Sequence, residues 1–191
     1  MNELQSLIEK CRNNDRKAHF ELYKWGFPDL MRMAMRYKKN KEDGAALVNA
    51  AFFKAFTNID KYKNEIPFEG WLKKIMRNTI IDEYRKTNKQ KEIDLEFSID
   101  ENENDYNEIK AVDYNLIEKE MSSEEAEKIL FSLEENERTV FNLFEMDGYS
   151  HKEIAVEMGI SERTSKRYLS SAKRNLQTRL KGILNSVLIL I

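Results

Sequence analysis

The stretch from Ser150 to Leu176 constrains this chain more than any other, because it reads as two short helices joined by a tight turn, with a basic face on the second. Ser150 stands three residues before Glu153, the reciprocal capping pair that satisfies orphan amides at a helix start. The spacing predicts a helix from about His151 with Ile154, Ala155 and Met158 on one face. Gly159 can turn the chain sharply after the last helical position, Ile160 is expected to anchor the turn in the core, and Ser161 is a good cap for a second helix. In that helix Leu169, Ala172, Leu176 and Leu180 recur at three and four residues and form an apolar stripe. Arg163, Lys166, Arg167, Ser170 and Arg174 point elsewhere, so the outer side carries hydrogen-bond donors suited to base edges and phosphates in a major groove. This is the pattern of a helix-turn-helix with residues 163–171 as the recognition segment. An ordinary amphipathic hairpin with a solvated basic face would show the same residues.

Around that stretch, two prolines and six glycines in 191 residues, with long runs of Leu, Ile, Met, Lys and Glu, predict an all-α fold. Cys11 is the only cysteine, which excludes an internal disulfide framework and any multi-cysteine metal site. The net charge of -2 conceals a segregation: residues 1–90 carry 19 Lys plus Arg against 12 acids, residues 91–135 carry 4 against 16, and residues 136–191 carry 9 against 6. Eight acids and no base lie from Glu92 to Glu108 without a helical stripe, the composition of a linker. The expected organisation is therefore two small helical domains, residues 1–90 and 121–191, joined by an acidic flexible linker over 91–120. No basic, apolar, cleavable leader opens the sequence, and the apolar run from Val187 to Ile191 is too short to span a bilayer, so the cytoplasm is the expected compartment, without membrane insertion. That apolar end is expected either to fold back on its own domain or to dock a partner.

The first lobe parses into helices as well. Leu4, Leu7, Ile8 and Cys11 open one, and Ala18, Phe20, Leu22, Tyr23 and Trp25 continue an apolar-rich stretch. Pro28 is expected near the start of a further segment, where its fixed φ is tolerated, with Leu30, Met33, Ala34 and Tyr37 as its stripe. Leu47, Val48, Ala51, Phe52, Ala55 and Phe56 make an apolar third helix, followed by a polar loop over residues 58–67. The last helix runs from Phe68 to about Lys86, its Trp71 and Tyr84 interleaved with Lys73, Lys74, Arg77, Arg85 and Lys86. Aromatic rings among cations suit single-stranded nucleic acid, though rings such as Trp71 and Tyr84 are more often core residues than stacking platforms.

These residues carry a family resemblance. Phe20-Glu21-Leu22-Tyr23, Glu42-Asp43 ahead of Leu47-Val48, Ile59-Asp60-Lys61-Tyr62, Phe68-Glu69-Gly70-Trp71-Leu72 and Arg77-Asn78 resemble region two of an extracytoplasmic-function sigma factor of the sigma-70 family. Leu133 to Val140, Gly148-Tyr149-Ser150, Glu153-Ile154-Ala155, Met158-Gly159-Ile160-Ser161 and Thr164 resemble region four of that family, in the right order. The resemblance implies a dissociable subunit that directs bacterial core RNA polymerase to promoters, with an anti-sigma factor or other regulator as a further partner. Region two would hold the single-stranded minus-ten element through Asn58, Lys61, Tyr62, Lys63 and Asn64 of the loop and Trp71, Lys74, Arg77 and Asn78 of the following helix. Region four would read the double-stranded minus-thirty-five element through Ser150, Ser161, Arg163, Thr164, Lys166, Arg167, Ser170 and Arg174. Core polymerase would meet Glu42, Asp43, Leu47, Asn49 and Phe53.

Ala46 and Ala50 stand where the family usually carries acids that bind polymerase, so that contact is expected to be differently made. Ser165 stands where it usually carries an apolar residue, implying a less firmly docked recognition helix. A conventional helix-turn-helix regulator is the second reading; it would form a two-fold dimer on a palindromic site. Catalysis, a metal and a cofactor are not expected: His151 and Glu153 fall on adjacent faces, His19 has no sequence neighbour to act with, and no nucleophile motif or phosphate-binding glycine loop occurs.

Overall fold

The computed structural model describes residues 3–92 and 123–188, with the backbone path alone for residues 88–92, 123–124 and 181–188. The described residues are helical, without a strand, and the chain divides into two compact units, Met1–Gln90 and Lys91–Ile191. Most of the acidic linker lies outside the described residues, as do the side chains of the apolar C-terminal end.

In the first unit α1 (Glu3–Arg12) buries Ile8 and Cys11, and burial together with the charge of Asp15 pushes the Cys11 thiol up to about 11, leaving it inert. Asp15 caps α2 (Arg16–Met35) by accepting the amides of Lys17 and Ala18 at 2.8 and 3.1 Å, and those bonds hold its carboxyl below the usual range. The expected break near Pro28 does not occur, and α2 runs through it as one helix of 20 residues. An internal proline removes one backbone bond and crowds the carbonyl four residues back, that of Lys24. Leu22, Leu30 and Ala34, all at 0% exposure on both sides of the proline, hold the segment helical in spite of that loss. Gly26 lets α2 approach its neighbours, since a Cβ there would lie 2.8 Å from Leu72 Cδ2 and 3.0 Å from Phe52 Cζ.

Asn40 caps α3 (Lys41–Thr57) by accepting the Asp43 amide at 2.7 Å. After it a 3₁₀ turn (Ile59–Lys61) and a short loop lead into α4 (Phe68–Glu92), which buries Phe68, Leu72, Met76, Ile80 and Ile81. The second unit comprises α5 (Ser123–Leu130), α6 (Glu135–Phe141) with its π-helical extension Asn142–Met146, α7 (His151–Met158) and the long α8 (Glu162–Leu188). Both α6 and α7 pack on α8. Their shared core holds Val140, Leu143, Ile154, Met158, Leu169, Ala172 and Leu176.

Candidate nucleic-acid interface

The second unit places its helix-turn-helix where local chemistry requires it. The Ser150 hydroxyl accepts the Glu153 amide at 3.2 Å, while the Glu153 carboxylate accepts the Ser150 amide at 2.8 Å and its hydroxyl at 2.7 Å, completing the capping box. The Ser150 bonds hold the Glu153 carboxyl below its usual range. At the other end Gly159 adopts φ 71°, and the Ile160 amide turns back to the Ala155 carbonyl at 3.0 Å. Ser161 then caps α8 by accepting the Thr164 amide at 2.9 Å. The inner side of α8 buries Ser165, Leu169, Ala172 and Leu176, while Arg163, Lys166, Arg167 and Arg174 are exposed. The result is a cationic outer stripe on a helix pinned along its inner one.

The loop of the first unit is braced. Arg12 of α1 donates to the Tyr62 carbonyl at 2.6 Å, the Tyr62 hydroxyl donates to the Ile66 carbonyl at 2.8 Å, and the Asn58 amide group donates to the Lys54 carbonyl at 2.9 Å. Lys61, Lys63 and Asn64 project from this frame into solvent.

A family model described as ECF sigma factor matches residues 1–182. The chain belongs to the ECF sigma factor family. Relatives include an ECF RNA polymerase sigma-E factor of Haemophilus influenzae and the ECF RNA polymerase sigma factor SigW of Bacillus subtilis. Each is 24% identical over 184 residues, spanning 94% of this chain and 96% or 98% of the relative. Among solved structures, the sigma factor RpoE of Bartonella quintana in complex with the anti-sigma factor NepR is 21% identical, covers 84% of this chain and 95% of its own, and superimposes with a TM-score of 0.49. As a member of this non-enzymatic family, the protein directs RNA polymerase to promoters and binds DNA in starting transcription. Among the described residues of this sigma factor no helix is long and apolar enough to cross a membrane.

The expected site residues of the sigma factor fall into three groups. In the upstream-reading set Arg163, Lys166, Arg167 and Arg174 are exposed, Thr164 and Ser170 are half-buried, and Ser150 and Ser161 spend their hydroxyls on helix caps. In the downstream set Lys61, Lys63, Asn64, Lys74 and Asn78 are exposed, with Asn58, Trp71 and Arg77 half-buried. On α3, Glu42, Asp43, Asn49 and Phe53 lie on the surface, and Phe53 is 74% exposed.

Two expected contact residues are instead taken into the core. Tyr62 is 5% exposed, its ring 5.1 Å from Phe68 and 5.3 Å from Trp71 between centroids, because its hydroxyl finds a carbonyl inside the loop and the apolar ring can then be buried. Leu47, 6% exposed, sits on the inner side of α3 and presents no surface to polymerase. At Ser165, the position from which a less firmly docked α8 is expected, the polar side chain has a partner inside the unit. Ser165 is completely buried and its Oγ lies 2.9 Å from His151 Nδ1. The polar residue interrupting the stripe at 165, 169, 172 and 176 signalled a buried polar contact without identifying its partner; Arg12, fifty positions from Tyr62, left no signal.

Proposed function

We propose that this sigma factor reads the minus-thirty-five element with the outer side of α8 and holds the opened minus-ten strand with the loop over residues 58–67 and the adjoining turns of α4. The observation that carries the proposal is the stripe of Arg163, Lys166, Arg167 and Arg174 on a helix whose opposite side is fixed in the core. Such a helix offers donors to guanine edges and phosphates at the width of a major groove. In the loop, a frame braced by Arg12, Tyr62 and Asn58 with exposed Lys61, Lys63 and Asn64 suits a base taken out of its stack, whose extrusion costs a few kcal/mol and needs a preformed pocket. Lys74, Arg77 and Asn78 would follow the strand, and the α3 surface of Glu42, Asp43, Asn49 and Phe53 would face core polymerase. The work is done in the cytoplasm, without cofactor or catalysis, and family membership adds a regulator such as an anti-sigma factor to the partners.

The test is run-off transcription by core polymerase and the purified chain on a pool of genomic fragments. Discrete start sites are expected; persistently non-specific initiation at saturating protein would overturn the reading. Arg163→Ala and Lys166→Ala should each weaken recognition of the upstream element by about 1 to 3 kcal/mol where a bidentate base contact is lost, and by less where only a phosphate is.

A further inference from the structure

Ser165 lies on the inner side of α8, flanked by Thr164 and Lys166 and two residues from Arg163, within the segment that presents side chains to DNA. It is the only one of the first four inner-stripe positions, 165, 169, 172 and 176, that is polar. Its Oγ meets His151 Nδ1 at 2.9 Å. The His151 ring is itself held, stacked on Phe144 of the π-helical segment at 4.5 Å between centroids and 26° between planes. Phe144 is flanked by Lys173 of α8, whose ammonium lies 6.0 Å from the ring centre and pairs with Glu145 at 2.7 Å. Three elements, the π-helical segment, α7 and α8, therefore meet at one small joint.

An apolar residue at 165 would fill space without direction, and cores repack around such residues with small shifts. A hydrogen bond weakens steeply away from linearity, so it restricts both the rotation of α8 about its axis and its advance along it. Base reading needs that restriction more than phosphate contact does, because a bidentate pair tolerates little displacement whereas a point charge does not carry sequence information. We propose that the His151–Ser165 bond is a positioning joint that sets how α8 presents Arg163, Lys166 and Arg167, so that promoter discrimination depends on it more than DNA affinity does. This rests on the reading of α8 as the upstream reader.

The experiment uses holoenzyme reconstituted from the full chain and core polymerase. Probes are promoter fragments recovered from the genomic pool by the unaltered protein, each paired with a copy whose upstream element is scrambled, and the readout is the ratio of initiation on the two. Ser165→Ala and His151→Ala should lower that ratio about tenfold, the size of one lost buried hydrogen bond, while binding to scrambled duplex is retained. His151→Asn, whose amide can stand in for the Nδ1 atom, should restore most of the ratio. If Ser165→Ala fails to fold, the comparison at the half-buried position 151 decides. Equal losses in His151→Ala and His151→Asn would assign the effect to ring stacking and overturn the joint. An unchanged ratio in Ser165→Ala and His151→Ala, with Arg163→Ala lowering it, would overturn the joint and leave the reading of α8 standing. An unchanged ratio in Arg163→Ala and Lys166→Ala as well would remove that reading.

Discussion

The two units combine apolar and polar contacts between their helices in different proportions. Between α2 and α3 the first unit relies mainly on rings: Tyr23 packs on Phe52 at 4.7 Å and His19 on Phe56 at 4.5 Å between centroids, Phe27 and Phe56 extend the seam along their own helices, and one exposed hydrogen bond, from the Tyr23 hydroxyl to Asn49 at 2.8 Å, lies at its edge. In the second unit the partners of α8 add polar side chains to the shared apolar core: Asn136 to Tyr168 at 3.3 Å, Glu137 to Ser171 and to Asn175, His151 to Ser165, and Glu145 to Lys173. Apolar burial is strong and non-directional, whereas buried polar pairs cost desolvation but specify one arrangement when every group is satisfied. A platform for a loop can rely on the first kind of contact. A helix that must enter a groove in one register gains from the second.

Four measurements can break or sharpen this contrast. The largest effect is expected from Phe52→Ala, which removes a ring at 2% exposure and should cost the first unit about 3 to 5 kcal/mol. Both tryptophans, Trp25 and Trp71, lie in that unit, so urea unfolding followed by their fluorescence reports on it alone. A loss under about 1 kcal/mol would mean that the aromatic seam is not what holds the first unit.

Next comes Glu137→Ala, which leaves the Ser171 hydroxyl and the Asn175 amide without their acceptor and should destabilise the second unit by about 1 to 3 kcal/mol. Glu137→Leu provides the sharper comparison, since a leucine that fully restores stability would show that filling the seam matters and its hydrogen bonds do not. Protection of the α8 amides against hydrogen exchange is the appropriate readout.

A smaller, pH-dependent effect should appear at His151. Burial, reinforced by Lys166 and Lys173 and opposed by Glu162, lowers its pKa below the ordinary 6.5, so the folded state favours the neutral ring. The unfolded chain then binds the proton first. The contribution is therefore fully present above about 6.5 and is lost as the pH falls through that value, until the folded ring also titrates. Melting of the second unit followed by amide resonances of α8 should show this slope in the unaltered protein and lose it in His151→Asn. The least effect belongs to the half-exposed pair Lys54–Asp82 at 2.7 Å. Lys54→Met should change first-unit stability by less than about 1 kcal/mol, and high salt should remove even that difference.

Chemistry that acts between near neighbours in the chain was legible without coordinates. Ser150 with Glu153, Gly159 and Ser161 mark helix ends through groups only a few residues apart, and the stripe at Leu169, Ala172 and Leu176 reports its buried side through the helical period. The order of the region-two and region-four motifs carried the family, and with it the function. What depended on where the chain returns was decided by the tertiary structure alone. Pro28 stays inside α2 because residues on both sides of it find a core to fill. Tyr62 leaves the expected contact surface because Phe68, Trp71 and the Ile66 carbonyl together satisfy both its ring and its hydroxyl. Arg12 meets Tyr62 across 50 positions and His151 meets Ser165 across 14, distances over which no local preference of either residue can specify its partner.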